Sequence, residues 1–277
     1  MQTAQHMLRT GNRGAFREFG LAVADLQNSM RRLDLAFSLA WHDVVSRYRG
    51  SILGPFWITL SMGLMVLGIG VLYSRLFHTS VHDFMPFVAF GIVFWGLITG
   101  VILEGCDTFI RASGMLSQTS LPMFTFVWRT IMRNLINLAH HAVIIVAVLV
   151  WYGVWRGSNL PLALAGLFLV LANISWISML AAITSARFRD VPQIVGSIMQ
   201  FAIFMTPVFW RPDSIRSNHL VLLLNPFYYM LDSIRTPMLG GATAPHTFTI
   251  LLVMAVGGWV LTFAAFAMTR RRIVHYL

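Results

Sequence analysis

Long apolar stretches dominate the pattern of hydrophobic and polar positions along the chain. The first, from Leu53 to Tyr73, is 21 residues long and contains no charged side chain. A helix rises about 1.5 Å per residue, so this stretch would cross the roughly 30 Å hydrocarbon core of a bilayer. Five further apolar stretches follow, at 84–103, 134–155, 160–183, 191–210 and 247–269. The pattern predicts an all-α membrane protein with six transmembrane helices.

The segment before the first span is amphipathic instead. Its apolar residues recur at steps of three and four, which is the spacing of one helix face. They are Met30, Leu33, Phe37, Trp41, Val44 and Tyr48. We therefore predict an N-terminal cytoplasmic tail at 1–27, followed by an amphipathic interface helix at 28–50 with its apolar face toward lipid. A helix packed on another subunit is the alternative, and both descriptions can hold together.

The loop after the fifth span, 211–246, is too long for a turn and too broken to span. Pro212, Pro226 and Pro237 interrupt its short apolar pieces. Membranes tolerate such a segment where its irregular backbone is buried in protein or faces water. It predicts short re-entrant helices between spans five and six. No internal repeat divides the chain, so residues 51–277 are predicted to form one six-span membrane domain.

The charge distribution predicts the orientation of these spans. The chain is 57% hydrophobic and 11% charged, and all 20 of its basic residues are arginine. Arginine in short loops favours the cytoplasmic side. One side of the predicted membrane receives fifteen: Arg9, Arg13, Arg17, Arg31, Arg32, Arg47, Arg49, Arg111, Arg129, Arg133, Arg187, Arg189, Arg270, Arg271 and Arg272. The other side receives five: Arg75, Arg156, Arg211, Arg216 and Arg235. Both termini are therefore predicted to be cytoplasmic, in a multi-pass protein of the inner membrane.

The predicted spans carry little chemistry of their own. None has a carboxylate, lysine or arginine near its middle, where such a group costs at least about 2.5–3.5 kcal/mol. This argues against a proton relay or an ion-coupled carrier. Asp107 and Arg111 are one helical turn apart, which favours a local ion pair over a cation site. His140 and His141 diverge by about 100° on a helix, so hydrogen-bonded histidines are favoured over a metal site, and no metal is predicted.

Five short motifs resemble those of a known family, the membrane (permease) subunits of type-2 ABC exporters for polysaccharide and polyol phosphate. They are RYRGSILGPFW at 47–57, LPMF at 121–124, ARFRDVPQI at 186–194, FMTPVFW at 204–210 and NPFYYMLDSIRTPMLG at 225–240. Together with six spans they cover roughly residues 28–270. The resemblance implies a permease subunit of an ATP-driven exporter that translocates a lipid-linked polysaccharide, with O-antigen favoured. Alternatives are a teichoic acid or capsule exporter, or a type-2 ABC exporter for a drug or lipid.

The resemblance also implies partners. It suggests a homodimer with two ATP-binding cassette subunits, a channel between the two copies, a lipid-linked glycan substrate and surrounding membrane lipids. Nucleic acid is not an expected partner, since the arginines form no dense stripe. A P-loop needs a lysine, and this chain has none, so ATP and Mg would belong to the partner ATPase. We expect no cofactor in this chain and classify it as a transport subunit, not an enzyme.

By position, the resemblance assigns residues to two functional regions. The ATPase-docking residues would be Asp107, Arg111, Met115 and Leu116, with Arg187, Arg189 and Asp190 in a second contact. An ordinary solvated turn is the alternative for Arg189 and Asp190. The periplasmic gate, within 211–246, would include Asn225, Pro226, Tyr228, Tyr229 and Arg235.

Aromatic and basic residues suggest how a glycolipid would be handled. Aromatic faces attract sugar C–H groups through weak contacts that hold a chain without trapping it. The candidate channel-lining residues are Phe56, Tyr73, Phe90, Phe94, Phe201 and Phe204, for which a lipid-facing position is the alternative. The candidate residues at the point where substrate enters are Arg47, Tyr48, Arg49 and Trp57, and the alternative is that the arginines only anchor topology.

A membrane-embedded enzyme that acts on glycans is an alternative from another functional class. Such an enzyme needs two carboxylates placed for acid and base catalysis. Asp213 and Asp232 both lie in the loop after the fifth span, but they are nineteen positions apart in an irregular stretch of sequence. The sequence therefore favours transport over catalysis.

The absence of lysine gives a first testable prediction. The purified chain, free of any second polypeptide, is expected to bind and hydrolyse no ATP, because no side chain can take the place of the P-loop lysine. Phosphate release by the chain in detergent or lipid is the measurement. Appreciable hydrolysis by rigorously purified protein would contradict the prediction.

Overall fold

The computed structural model describes residues 15–212 and 219–277, and these are helical throughout most of their length. The helices are α1 Ala15–Met30, α2 Leu33–Arg47, α3 Phe56–Leu76, α4 Val81–Cys106, α5 Thr108–Arg111, α6 Ser113–Gln118, α7 Met123–Trp151, α8 Leu160–Arg187, α9 Val191–Met205, α10 His219–Leu223, α11 Pro226–Met238 and α12 Pro245–Tyr276. A short 3₁₀ turn, Val154–Arg156, joins α7 to α8. Arg9, Arg13, Asp213 and Arg216 lie outside the described residues.

Five helices in the described part of the chain are long and apolar enough to cross a membrane. They are α3, α4, α7, α8 and α12, and they confirm a multi-pass, all-helical membrane protein. The remaining predicted span, 191–210, contains a helix of only 15 residues, α9, which ends before the irregular segment at 206–210. The prediction of six spanning helices is therefore supported for five of them.

Helix α4 forms the centre of the bundle. Of its most apolar stretch 78% is buried, against 11% for α3, so α3 lies at the periphery. Helices α3, α7, α8 and α9 all contact α4. Small residues allow this close approach, as at Gly105, where a Cβ atom would lie within 3.0 Å of the Cα atom of Ser178 on α8. Nearly every side of α4 therefore packs against protein, not lipid.

Long-range contacts define the two ends of the bundle. At one end, Arg133 pairs with Glu104, and Arg189 donates to the carbonyl of Tyr276 at 3.5 Å. We call this the arginine-rich end. At the opposite end, the backbone N–H of Asn159 donates to the carbonyl of Pro237 at 2.8 Å, and Arg211 donates to the carbonyl of Asp83 at 2.9 Å.

The segment before α3 forms two helices with a break at Arg31 and Arg32. The predicted boundary at 27–28 falls inside α1. In α2 the buried residues are Ala36, Ala40 and Val44, which pack on α7, whereas Phe37 and Trp41 are exposed and stack on each other at 6.4 Å. The described part of α2 thus has a packed face and an uncovered aromatic face.

A buried carboxylate anchors α1 to the bundle. Asp25 accepts the backbone N–H groups of Met123 and Phe124, both at 3.2 Å, at the first turn of α7. These N–H groups have no partner within their own helix. Arg270 of α12 approaches the same carboxylate at 3.4 Å. Burial raises the pKa of Asp25, and the hydrogen bonds and the Arg270 charge oppose that increase.

Helix α11 packs into the end of the bundle opposite the arginine-rich end. Gly166 of α8 lies so close to the backbone carbonyl of Ser233 on α11 that an added Cβ atom would collide with it. The ring of Phe227, in the first turn of α11, lies 5.6 Å from that of Trp95, near the middle of α4. Helix α11 therefore runs from the middle of α4 toward the end of the bundle where Pro237 lies.

The close approach at Gly166 gives a stability prediction. Gly166→Ala should lower the free energy of unfolding by about 1–3 kcal/mol, because a backbone carbonyl cannot move aside as a flexible side chain can. The measurement is thermal unfolding of the purified chain in detergent.

Gly196→Ala in α9 is the matched control for Gly166→Ala. Its Cβ atom would meet nothing within 4 Å, so this substitution should be neutral or stabilising by up to about 1 kcal/mol. Equal stability of the two variants would contradict close packing of α11 on α8.

Candidate functional site

A charged pocket opens at the arginine-rich end, between α2, α4, α5 and α7. Its volume is about 370 Å³. It is lined by Asp43, Ser46, Arg47, Glu104, Thr108, Arg111, Ala112, Phe126, Arg129, Thr130 and Arg133. Four of these residues are arginines and two are carboxylates, so the lining carries a net positive charge.

Four of the lining side chains form a network that links three helices. Asp43 of α2 accepts two hydrogen bonds from Arg129, at 2.8 and 2.6 Å, and one from Arg133 at 2.9 Å. Arg133 also donates twice to Glu104 of α4, at 3.0 and 2.7 Å. Asn134 adds a further hydrogen bond to Glu104 at 2.7 Å. Hydrogen bonds between charged groups are roughly twice as strong as neutral ones, so the network fixes α2 against α7 and α4.

The network keeps Asp43 ionised. Burial alone would raise the pKa of this carboxyl, but the hydrogen bonds and positive charges of Arg129 and Arg133 outweigh it and lower the pKa below 3.8. The Asp43 side chain is only 17% exposed, so its charge depends on the arginines for solvation. The two arginines and the two carboxylates are all paired within the network.

The structure brings Arg47 and Arg111 into the same pocket. From the sequence, Arg47 was assigned to substrate entry and Arg111 to ATPase docking. Arg47 is exposed and has no ion-pair or hydrogen-bond partner among the described side chains. Arg111 forms the predicted ion pair with Asp107 at 2.8 Å. Arg49 is exposed, and Tyr48 packs on the buried contact between α2 and α7. Trp57 is exposed on the first turn of α3.

The other residues assigned to ATPase docking surround the same end of the bundle. Leu116 of α6 is buried, and Met115 is half-buried against the bundle core. Arg187 lies over the rings of Phe188 and Tyr276, at 5.0 and 5.9 Å. Arg189 and Asp190 are exposed in the short connection between α8 and α9. The docking residues of α5 and α6 therefore lie beside the charged pocket. The second set, Arg187, Arg189 and Asp190, lies near the end of α12.

The residues assigned to the gate form a hydrogen-bonded cluster around the start of α11. Asn225 caps this helix by accepting the backbone N–H groups of Phe227 and Tyr228, at 2.9 and 3.4 Å. Pro226 occupies the first helical position, where its missing N–H costs nothing. The Asn225 side chain also donates to Thr206 Oγ1 at 3.0 Å, and Tyr229 donates to the carbonyl of Leu223 at 2.9 Å. The cap therefore joins the end of α9 to α11.

Arg235 is the largest fully buried side chain of this region. Its guanidinium lies 3.8 Å from the centre of the Phe87 ring and donates to the carbonyl of Pro207 at 2.6 Å. A Cβ atom at Gly91 would lie 2.6 Å from the carbonyl oxygen of Val208, so only glycine admits this backbone so close to α4. Arg235 thus holds the irregular segment after α9 between α4 and α11.

Asp232 is one of the two carboxylates that a glycan-cleaving enzyme would need, and it is the one that the structure describes. Its side chain makes hydrogen bonds to neighbouring threonines. It accepts hydrogen bonds from Thr236 at 2.5 Å and from Thr247 at 3.2 Å. Its side chain is buried between α11 and the start of α12. A buried carboxylate bonded to two threonines serves to join helices.

The candidate channel-lining aromatics divide into two groups. Phe56, Phe201 and Phe204 have more than 60% of their surface exposed on the outside of the subunit. Phe90 and Phe94 are buried within α4 contacts, so they reach no open surface of this subunit. The ring of Tyr73 is half-buried and packs 6.0 Å from that of Phe209.

Comparison with known proteins identifies the family. The model of the family described as ABC-2 type transporter matches residues 35–239, which is about three quarters of the chain. This chain belongs to the ABC-2 type transporter family. The match begins in α2 and ends after α11, so it includes both the charged pocket and the region of Arg235.

Two curated relatives of this ABC-2 transporter are O-antigen export system permease proteins named RfbA. The protein from Myxococcus xanthus is 23% identical over 202 residues, covering 72% of this chain and 78% of the relative. The protein from Klebsiella pneumoniae is 20% identical over 226 residues, covering 79% and 85%. The resemblance read from the motifs is therefore confirmed, and the chain is a transporter permease.

Sequence reasoning missed the ion-pair network of this ABC-2 transporter. Asp43 was assigned no role from the sequence, and Arg129 and Arg133 were counted only as charges that set the orientation of the spans. The available signal was their spacing, since two arginines at i and i+4 lie on the same face of α7. Their partners, Asp43 and Glu104, are 86 and 29 residues away in the chain.

A polar stripe on α9 was also missed. Gln193, Ser197 and Gln200 follow the spacing i, i+4 and i+7, and all three are exposed on the surface of the subunit. Phe204 continues the same face. A polar stripe on an apolar helix is the pattern of a surface that meets water, not lipid.

The Asp43 network gives a prediction with a pH dependence. Asp43→Asn should lower the free energy of unfolding at pH 7 by about 1.5–3 kcal/mol, because Arg129 and Arg133 lose a charged acceptor. The contribution of a carboxyl with a lowered pKa is complete above its ordinary pKa and is lost as pH falls through the lowered value. The stability difference should therefore shrink as the pH falls below 3.8, in unfolding measured across a pH series.

Asp34→Asn is the control for Asp43→Asn. Asp34 lies on the same helix, is exposed and has no ion pair among the described residues, so its loss should change stability by less than about 0.5 kcal/mol. Equal effects of the two variants would contradict a structural role for the network.

Proposed function

We propose that this chain is the membrane subunit of an ATP-driven exporter that moves a lipid-linked polysaccharide, O-antigen above all, across the inner membrane. The observation that carries the proposal is that both curated relatives, which match over most of their length, are O-antigen export permeases. The partners would be a second copy of the chain and two ATPase subunits. ATP and Mg would be bound by those ATPase subunits.

We propose six membrane crossings, with the arginine-rich end and both termini in the cytoplasm. Residue 189 contacts the end of α12, whereas Arg211 contacts Asp83 at the opposite end. The chain between them therefore runs from one end of the bundle to the other. Helix α9 provides about 22 Å of this path, and the turns and bends at 206–210 carry the chain on to Arg211 at the opposite end. The excess of arginine supports the orientation.

The docking of the ATPase is proposed for α5, α6 and the adjoining face of α2. These short helices border the charged pocket, and Asp107 and Arg111 present charges that are partly exposed. A partner that pushes on α2 or α5 would act directly on Asp43 and Glu104. Because Arg129 and Arg133 join both carboxylates to α7, a movement at this end would reach two membrane helices at once.

The channel is proposed to form between two copies, along α9 and the weakly buried α3. The polar stripe Gln193, Ser197 and Gln200 would hydrogen-bond sugar hydroxyls, and Phe201 and Phe204 would offer ring faces to sugar C–H groups. A single subunit leaves this surface uncovered. Helix α11, which starts beside the middle of α4, would form the re-entrant gate region at the opposite end.

The substrate is proposed to reach the channel past Arg47 and Arg49. Both side chains are exposed just before α3, and Trp57 is exposed in the first turn of that helix. Arginines at a membrane surface attract anionic lipid groups by about 1 kcal/mol each. A lipid diphosphate would therefore collect at this junction before its glycan enters the channel.

An ion-pair swap tests the docking role of Asp107 and Arg111. In a strain that depends on this chain for O-antigen export, the double variant Asp107→Arg and Arg111→Asp keeps the internal pair but reverses both charges. A wrong charge at an interface costs several kcal/mol, so copurification with the ATPase should fall at least about tenfold. Surface O-antigen should fall with it, while the amount of the chain in the membrane stays normal.

Arg156→Asp, at the opposite end of the bundle, is the control for the swap and should leave the copurification unchanged. Full export by the swapped variant would remove Asp107 and Arg111 from the docking surface. Export of a different lipid-linked polymer, seen when the glycolipid that copurifies with the complex is identified, would overturn O-antigen as the substrate.

A further inference from the structure

A small polar pocket lies near the middle of the bundle, between α3, α4 and α7. Its volume is about 80 Å³, and Met62, Gly96, Asn134, Asn137, Leu138 and His141 contribute to its lining. Helix α7 runs from 123 to 151, so Asn137 is at its midpoint. Asn137 is one helical turn from Arg133 of the charged pocket, on the part of α7 that faces α3 and α4 inside the bundle.

Two side chains of the pocket have polar atoms without a hydrogen-bond partner among the residues that the structure describes. The sequence predicted hydrogen-bonded histidines, and this is confirmed for His140, whose Nδ1 lies 2.8 Å from the carbonyl of Ile136. His141 is only 7% exposed, and its buried Nδ1 has no hydrogen-bond partner. The side-chain amide of Asn137 also has none among the residues that the structure describes.

Unpaired polar groups at this depth are costly. Moving a polar group into an apolar environment without a hydrogen bond costs about 2–7 kcal/mol, depending on the reference state. Hydrocarbon offers no hydrogen bonds, so the missing partners must come from protein or from trapped water. A pocket needs about 10–15 Å³ of space to hold one water molecule, and the water needs two to four polar partners. This pocket meets both conditions.

The pocket continues a line of polar side chains along α7. Thr130, Asn134, Asn137 and His141 are spaced at i, i+4, i+7 and i+11, which places them on one face. Asn134 donates to Glu104 Oε2 at 2.7 Å, and Glu104 lines the charged pocket at the arginine-rich end. Gly100 of α4 leaves the space that the Asn134 side chain occupies. Polar groups thus extend from the charged pocket to the middle of the bundle.

We propose that this pocket is a hydration site, in which ordered water supplies the missing hydrogen bonds of His141 and Asn137. The water reaches it from the charged pocket along the polar face of α7. At this level α3 is held to α7 by a hydrogen bond from Thr59 Oγ1 to the carbonyl of His140, at 3.1 Å. The contact between α3 and α7 is therefore wet at this level. The site is independent of which substrate is exported.

Cysteine reactivity distinguishes a wet pocket from a dry one. Cys106 is the single cysteine of the chain, so Cys106→Ala gives a background without thiols. Leu138→Cys faces the pocket, and Ala139→Cys lies at the same depth on the exposed outer face of α7. The probe is a small cationic methanethiosulfonate, applied to the chain in lipid vesicles. Thiolates react and form only in water, so Leu138→Cys should react at least about tenfold faster than Ala139→Cys.

Removing the polar partners provides the second arm of the experiment. His141→Leu in the Leu138→Cys background should lower the rate at least about tenfold, because the pocket loses its buried hydrogen-bonding group. Asn137→Cys is a second reporter in case the Leu138 variant fails to fold. Reaction of both reporters at the Ala139→Cys rate would overturn the proposal, as would a rate that His141→Leu leaves unchanged.

Discussion

The pairing of Arg129 and Arg133 with Asp43 and Glu104 is the interaction on which the arginine-rich end depends. Each of these four side chains is mostly withdrawn from water, and none can stay charged at low cost without the others. The network decides where α2 lies relative to α7, and so where the charged pocket opens. It also places the arginines of the pocket within reach of a partner. Ion pairs, together with the apolar contact of α2 on α7, set the geometry of this end.

Much of the helical architecture follows from local sequence. Five of the six predicted spans appear as helices of spanning length, because an apolar run and the hydrogen bonding of a helix depend only on neighbouring residues. The short α9 was not anticipated, although Pro207 lies within the apolar run 191–210 and disfavours helical backbone in the residue before it. Asn225 and Arg235 also hold this end, since they bond to Thr206 and Pro207 from 19 and 28 residues away in the chain.

The candidate site was less predictable, because most of its contacts join residues that are far apart in the chain. The pair of Asp107 with Arg111 is four residues apart and was predicted correctly. The partners of Asp43 lie on another helix, 86 and 90 residues later, and no local spacing announces them. The motifs nevertheless identified the family correctly, because they sample turns and helix ends across the whole chain. A single sequence therefore shows the class of protein well and its long-range ion pairs poorly.

The cap that Asp25 provides has a consequence for synthesis of the protein. Its partners at Met123 and Phe124 leave the ribosome about 98 residues later, and Arg270 follows 245 residues after Asp25. At about 5–20 residues per second, the first delay alone lasts roughly 5–20 s. During that time α1 is complete, yet the helix end it will cap does not exist. The N-terminal helix is thus made first and docked late, and its attachment marks the completion of the fold.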